Sequence, residues 1–173
     1  RRIAMAHQQG ADIFVSLHAD AVTEGSAHGT VIYTLSQSAS DVASAKLAER
    51  HDRADLLSGI DLSSADDVVT DVLLDLARQE THPRSQAMAQ SVIEALMEQG
   101  SKVNRRPLRS AGFSVLKSAD IPSILIEVGF MSSPEDLAKL KDPAWRTNAS
   151  QAIVRGLSNW READAARRAL VRQ

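Results

Sequence analysis

Two side chains in this sequence stand out as candidates for chemistry, a histidine and a glutamate far apart along the chain. His18 closes the run Asp12-Ile-Phe-Val-Ser-Leu-His18, which has the pattern of a short strand buried on both faces. Ligands of open α/β sheets gather beyond the carboxyl ends of the strands, so an imidazole at that end can reach one. Glu127 lies within Ser123-Ile-Leu-Ile-Glu-Val-Gly129. Burying a carboxylate there is costly unless a charge meets it. A metal ion with its bound water would meet that need, and His18 and Glu127 could then share one sheet edge. Each also has an ordinary structural explanation. A strand-end histidine can simply be hydrogen-bonded, and the glutamate could pair with Arg105, Arg106 or Arg109. The sequence holds no compact His-Glu-x-x-His motif to decide the matter.

The elements that must position these two residues follow from periodicity and punctuation. Residues 1–10 read as a helix ended by Gly10, a residue suited to a left-handed cap. Arg1 and Arg2 enter it without a start methionine or an N-cap, as if from the middle of a longer polypeptide. After the strand ending at His18, a polar turn leads to a second strand, Thr30-Val-Ile-Tyr-Thr-Leu35. A helix follows to about Arg53, then a loop over 54–65. Ser64-Ala-Asp-Asp67 matches a capping box and starts a helix with Val69, Val72, Leu73 and Leu76 on one face. His82-Pro83 is expected to break that helix and Ser85 to cap the next, which Gly100 ends. A basic loop, Lys102 to Arg109, precedes an expected third strand at Phe113–Lys117, and the fourth begins at Ser123. Ser133-Pro134-Glu135-Asp136 is a helix start, with a cap, a proline at the first position and acids in the first turn. A last long helix carries Trp145, Ala149, Ile153, Leu157 and Trp160 at helical spacing, and the tail beyond is a solvated extension. The fold class is α/β, an open, mostly parallel twisted sheet flanked by helices.

Composition narrows the function classes. The 173 residues suit one domain with a real core. Only 3% are aromatic, so that core is built mainly from Ala, Val, Ile and Leu. The net charge of −2 gives no basic field for nucleic acid. With no cysteine, disulfides and thiolate metal sites are excluded, and a metal must sit on His, Asp or Glu. No apolar run has the length of a membrane span.

The local sequences carry a resemblance. Ala11-Asp-Ile-Phe-Val-Ser-Leu-His-Ala-Asp20 and Pro122-Ser-Ile-Leu-Ile-Glu-Val-Gly-Phe-Met-Ser-Ser133 resemble two signature segments of the zinc-dependent N-acetylmuramoyl-L-alanine amidases. Ala111-Gly-Phe-Ser-Val-Leu-Lys117 stands in its expected place before the second. The resemblance covers residues 1–160 and implies a hydrolase that cuts the amide between N-acetylmuramic acid and L-alanine in peptidoglycan. It implies Zn²⁺ as cofactor, His18 as a zinc ligand and Glu127 as the catalytic residue. In that chemistry zinc makes hydroxide available near neutrality, and the glutamate shuttles the proton from water to the leaving amine. The family's other two ligands, a histidine in a Gly-His-Gly-Gly segment and a glutamate, are expected upstream of residue 1. His7, His28, His51 and His82 match no such motif and read as surface residues.

A more local resemblance concerns residues 36–84, which look like the regulatory insertion of division-associated periplasmic amidases. There a helix and its preceding loop block the site until a LytM-type activator pulls them away. That implies an inhibitory carboxylate, with Asp66 and Asp67 as candidates, although a capping role explains Asp67 without any metal. It also makes Val69, Val72, Leu73 and Leu76 a candidate activator surface, with core packing as the ordinary explanation. The expected layout is thus a catalytic domain over 1–160 that lacks its N-terminal part, and a tail over 161–173. The competing reading is a non-catalytic wall-binding or regulatory module with the same fold, since the upstream ligands are absent from the sequence. A third is another zinc hydrolase on a related α/β fold.

Overall fold

The computed structural model describes residues 2–22, 27–57 and 68–171, and for 54–57, 68–75 and 171 the backbone alone. In chain order the elements are α1 (Arg2–Gln8), β1 (Phe14–His18), β2 (Thr30–Leu35), α2 (Val42–Leu57), α3 (Val68–Glu98) and β3 (Val103–Ala111). A 3-10 turn (Ser114–Leu116), β4 (Ser123–Glu127), α4 (Pro134–Lys141) and α5 (Pro143–Val171) complete it. The strands form one four-stranded sheet in the order β1-β4-β2-β3.

Hydrogen bonds at both ends of two strand pairs set their directions. Phe14 N–H donates to the Pro122 carbonyl at 2.9 Å and Val128 N–H to the His18 carbonyl at 3.0 Å, so β1 and β4 run parallel. Thr30 N–H reaches Lys102 and Ser36 N–H reaches Ala111, so β2 and β3 are parallel too. The Thr30 hydroxyl donates to the Val128 carbonyl just past β4 at 3.0 Å, so β2 starts where β4 ends and these two are antiparallel. The two inner strands are the apolar runs. Every residue of β4 is buried, as is β2 from Thr30 to Thr34, which is the cost-free place for unbroken Val, Ile and Leu.

Contacts divide the chain into two units, and each strand contributes residues to both. The first comprises Arg1–Ser16, Tyr33–Ser85 and Arg109–Leu125. Its core holds Tyr33, Leu47, Ala48, Phe113 and Leu116. The Tyr33 and Phe113 rings are tilted at 60° with centroids 5.1 Å apart. Arg109 pairs with Asp41 at 3.2 Å, and Asp52 accepts the Ser114 N–H at 2.9 Å.

Several sequence expectations fail. Phe113–Lys117 is not a strand but contains the 3-10 turn Ser114–Leu116, while the supposed basic loop is β3. Charge and a proline led the sequence reading away from strand there, yet both suit a strand at the edge of a sheet. His82-Pro83 does not break the helix, because Pro83 lies inside α3. Ser85 is likewise interior, and caps nothing. The physical reason is tertiary anchoring at that point. Thr81 and Ser85 are buried, their hydroxyls donate to the carbonyls of Ala77 and Thr81, and Ser85 Oγ also accepts the Ser123 N–H at 3.0 Å. His51 is half-buried rather than a surface residue, its ring edge-on to Phe113 at 5.5 Å. The capping box over 64–67 lies outside the described residues.

The second unit comprises Leu17–Ile32, Gln86–Leu108 and Ile126–Gln173. Here α3 buries Met88, Ala89, Val92, Ile93, Ala95 and Leu96, and α5 buries Ala149, Ala152, Ile153 and Trp160. Gly100 ends α3 with a φ of +75°, as its position in the sequence predicts. The two helices touch at Gly156, where an added Cβ would lie 2.6 Å from Val92 Cα and 2.8 Å from the Ser91 carbonyl oxygen. The Ser91 hydroxyl donates to the Gly156 carbonyl at 2.8 Å. At the start of α4, Ser133 caps the helix by accepting the Asp136 N–H. Glu135 lies between Lys139, at 2.9 Å, and Lys102, at 3.0 Å.

Gly156→Ala is expected to force α3 and α5 apart and to lower stability by about 1–3 kcal/mol, the usual range for overpacking. A thermal unfolding curve checks this, and an unchanged midpoint would show that the helices separate freely. The ammonium groups of Lys139 and Lys102 pull the Glu135 pKa down from 4.5 to about 2. A carboxylate depressed in the folded state stabilises it above its ordinary value and ceases to do so as acid is added. The local contribution of Glu135 is therefore complete above pH 4.5 and lost as pH falls towards 2. Carboxyl NMR titration is expected to show that low midpoint, and Lys139→Ala to raise it. A titration near 4.5 in the native chain would refute the pairing.

Candidate metal centre

His18 is the last residue of β1 and Glu127 the last of β4. Because the two strands are parallel neighbours, with Val128 N–H bonded to the His18 carbonyl, both side chains arrive at the same end of the sheet. This is the convergence that the two distant sequence segments predict. Glu127 is fully buried at 0% exposure. Its Oε2 accepts the backbone N–H of Asp20 at 3.1 Å, a charge-assisted bond that offsets part of the burial cost.

Asp20 adds a third donor that the sequence reading did not single out. One ligand atom from each of His18, Asp20 and Glu127 lies within 4.8 Å of the others. Zinc bonds to nitrogen and oxygen are about 2.0–2.2 Å long, so small side-chain movements would gather such a group around one ion. One imidazole and two carboxylates also match the ligand types that zinc takes. The residues therefore fit the metal that the resemblance implies. The clue to Asp20 was its place two residues past His18, but a polar turn just after a strand gave no reason to prefer it to a solvated aspartate.

Two turns hold the centre in place. After β1, the Asp20 carbonyl accepts the Met131 N–H at 2.8 Å, and Val22 N–H donates to the Ser132 hydroxyl at 3.2 Å. After β4, the Val128 carbonyl accepts from Thr30. Residues 19–22 and 128–132 are thus laced together, and the lacing carries the Asp20–Glu127 bond within it. Of the other expected site residues, Asp66 and Asp67 lie outside the described residues. Val69, Val72 and Leu73 fall in α3, but their side chains are likewise outside them. Leu76 is 63% exposed, so core packing does not account for it. No described helix is long and apolar enough to cross a membrane.

Comparison with known proteins places this geometry. Residues 1–159 match the model of the amidase 3 family, described as N-acetylmuramoyl-L-alanine amidase. The chain is 34% identical over 160 residues to the N-acetylmuramoyl-L-alanine amidase AmiA of Salmonella typhimurium, covering 92% of this chain and 55% of that one. It is 34% identical over 157 residues to AmiC of Escherichia coli, covering 90% and 37%. The chain thus spans about half the length of AmiA, and less of AmiC. Among solved structures, the CwlD amidase of Clostridioides difficile, in complex with the GerS lipoprotein, superposes with a TM-score of 0.62 at 18% identity, covering 94% of this chain and 60% of that one. AmiC2 of Nostoc punctiforme gives 0.60 at 21%, covering 92% and 63%. These two share the fold. With a match that runs from residue 1 to 159 and takes in both strand ends that carry the site, the chain belongs to the amidase 3 family of N-acetylmuramoyl-L-alanine amidases.

Proposed function

We propose that the protein is a zinc-dependent peptidoglycan hydrolase that cleaves the amide between the lactyl group of N-acetylmuramic acid and L-alanine. The observation that supports this most is the meeting of His18 and Glu127 at the ends of adjacent parallel strands, in a chain of this family. His18 and Asp20 would hold the ion. Zinc, when bound, supplies Lewis acidity that makes water readily deprotonated near neutrality and polarises a carbonyl. Glu127 is the proton carrier in this reading. Its carboxylate takes the proton of the attacking water as the new C–O bond forms, then delivers it to the L-alanine nitrogen as the C–N bond breaks. The Asp20 N–H on Oε2 fixes the plane of the carboxylate, so the group need not reorient between the two transfers.

Three finer points belong to the same reading. The wall substrate and the family support a location outside the cytoplasm, in the periplasm. Residues 36–84 act as a regulatory insertion, with Asp66 and Asp67 as the inhibitory carboxylates. The face carrying Val69, Val72, Leu73 and Leu76 is where a LytM-type activator binds, and the exposure of Leu76 supports that.

Glu127→Gln is expected to cut release of peptides from purified peptidoglycan by about 10²–10⁴-fold, the usual contribution of a general acid–base, while bound zinc is retained. Undiminished release by that variant would overturn the catalytic assignment. Replacing Asp66 and Asp67 together by alanine is expected to raise activity measured without an activator. No increase would remove these residues from any inhibitory role.

A further inference from the structure

The geometry points to Asp136 as the positioning residue of the candidate centre, acting through the turn that follows Glu127. The inference rests on the reading of Glu127 as the proton carrier. In the sequence Asp136 is one of two acids in the first turn of a helix, and its neighbour Glu135 behaves as that predicts, with lysines around it in solvent. Asp136 does something else. It is 3% exposed, and its Oδ2 accepts two backbone N–H groups, that of Gly29 at 2.8 Å and that of Phe130 at 3.1 Å.

Those two donors are the important ones. Phe130 lies three residues beyond Glu127, in the turn whose Met131 N–H holds the Asp20 carbonyl. Gly29 precedes Thr30, whose hydroxyl holds the Val128 carbonyl. One carboxylate oxygen therefore ties the exit of β4 to the entry of β2, and Glu127 is the last residue before that tie. A buried oxyanion accepting two N–H groups is a strong and directional link. Supporting groups of this kind set how closely a catalytic side chain keeps its productive position.

The surroundings are shaped for it. Gly29 has a φ of +74°, and a Cβ there would meet the backbone of Val103 and Asn104 at 2.9 Å. Gly129 has no positive φ, but a Cβ on it would lie 3.2 Å from Asp136 Cβ and 3.5 Å from Oδ2. Glycine at 129 thus leaves the room in which the carboxylate sits. The capping arrangement is also incomplete in a telling way. Ser133 accepts the Asp136 N–H, yet the acid does not reach back to the cap and instead serves the two turns.

The test is made on the zinc-loaded protein. Asp136→Ala is expected to lower kcat for muropeptide hydrolysis by about ten- to a hundredfold with KM within about threefold, the signature of a misplaced catalytic group. Zinc affinity is expected to fall about tenfold or more, as when a supporting partner of a ligand is lost. Asp136→Asn retains an oxygen that can accept both N–H groups and is expected to recover most of the loss. Amide hydrogen exchange gives a readout independent of activity. In Asp136→Ala, exchange at Asp20 and Met131 is expected to quicken about tenfold or more, because those bonds open with the turn. If the alanine variant does not fold, Gly129→Ala keeps the question open to measurement, since it presses on the same carboxylate and is expected to lower kcat by about threefold or more. Wild-type kcat with unchanged exchange at Asp20 in a folded Asp136→Ala, or wild-type kcat in Gly129→Ala, would overturn the assignment. Faster exchange at Asp20 in a protein that hydrolyses no muropeptide and binds no zinc would uphold the positioning role and refute the amidase reading instead.

Discussion

A carboxylate with no solvent exposure, at the end of a strand that is itself wholly buried, is the constraint on which the rest of this structure turns. An ionised group in such a place must be met by donors or by charge. The chain meets it with the Asp20 N–H and with neighbours able to hold a cation. Both depend on one feature of topology, the parallel pairing of β1 with β4. Had these strands paired antiparallel, His18 and Asp20 would lie beside Ser123 instead of Glu127.

The lacing of the two turns follows from the same need. Strand ends fray unless their outgoing backbone is tied down, and a catalytic carboxylate displaced by an ångström loses most of its value. Here the exits of β1 and β4 exchange hydrogen bonds through Asp20, Val22, Met131 and Ser132. Asp136 binds the second of these turns to the start of β2. Each of these bonds has a backbone group at one end or both.

The inner strands were legible because their composition leaves no alternative. Thr30–Leu35 and the run from Ser123 are too apolar for loops, and the structure finds strands at both. Gly10 and Gly100 end helices with positive φ, where their positions predict it. The edge strand β3 was not legible. Its arginines, asparagine and proline look like a loop, and they become a strand only because β2 offers a ladder on one side and solvent the other. Pro83 illustrates the same limit. Local rules end the helix there, but burial of Thr81 and Ser85 and the bond that Ser85 Oγ accepts from the Ser123 N–H anchor the residues around Pro83 to the rest of the unit.

The sequence by itself marked the two candidates for chemistry and the family they belong to, because an imidazole or a glutamate amid apolar residues is a local, energetically expensive feature that can be read one segment at a time. Only the tertiary structure decided the company these residues keep. That Asp20 joins the candidate metal group, that Asp136 serves two turns while Glu135 faces solvent, and that Gly156 must stay small are all consequences of strand order and helix contact. Such pairings join residues distant in the chain, and the free energy that selects them exists only once both partners have been brought together.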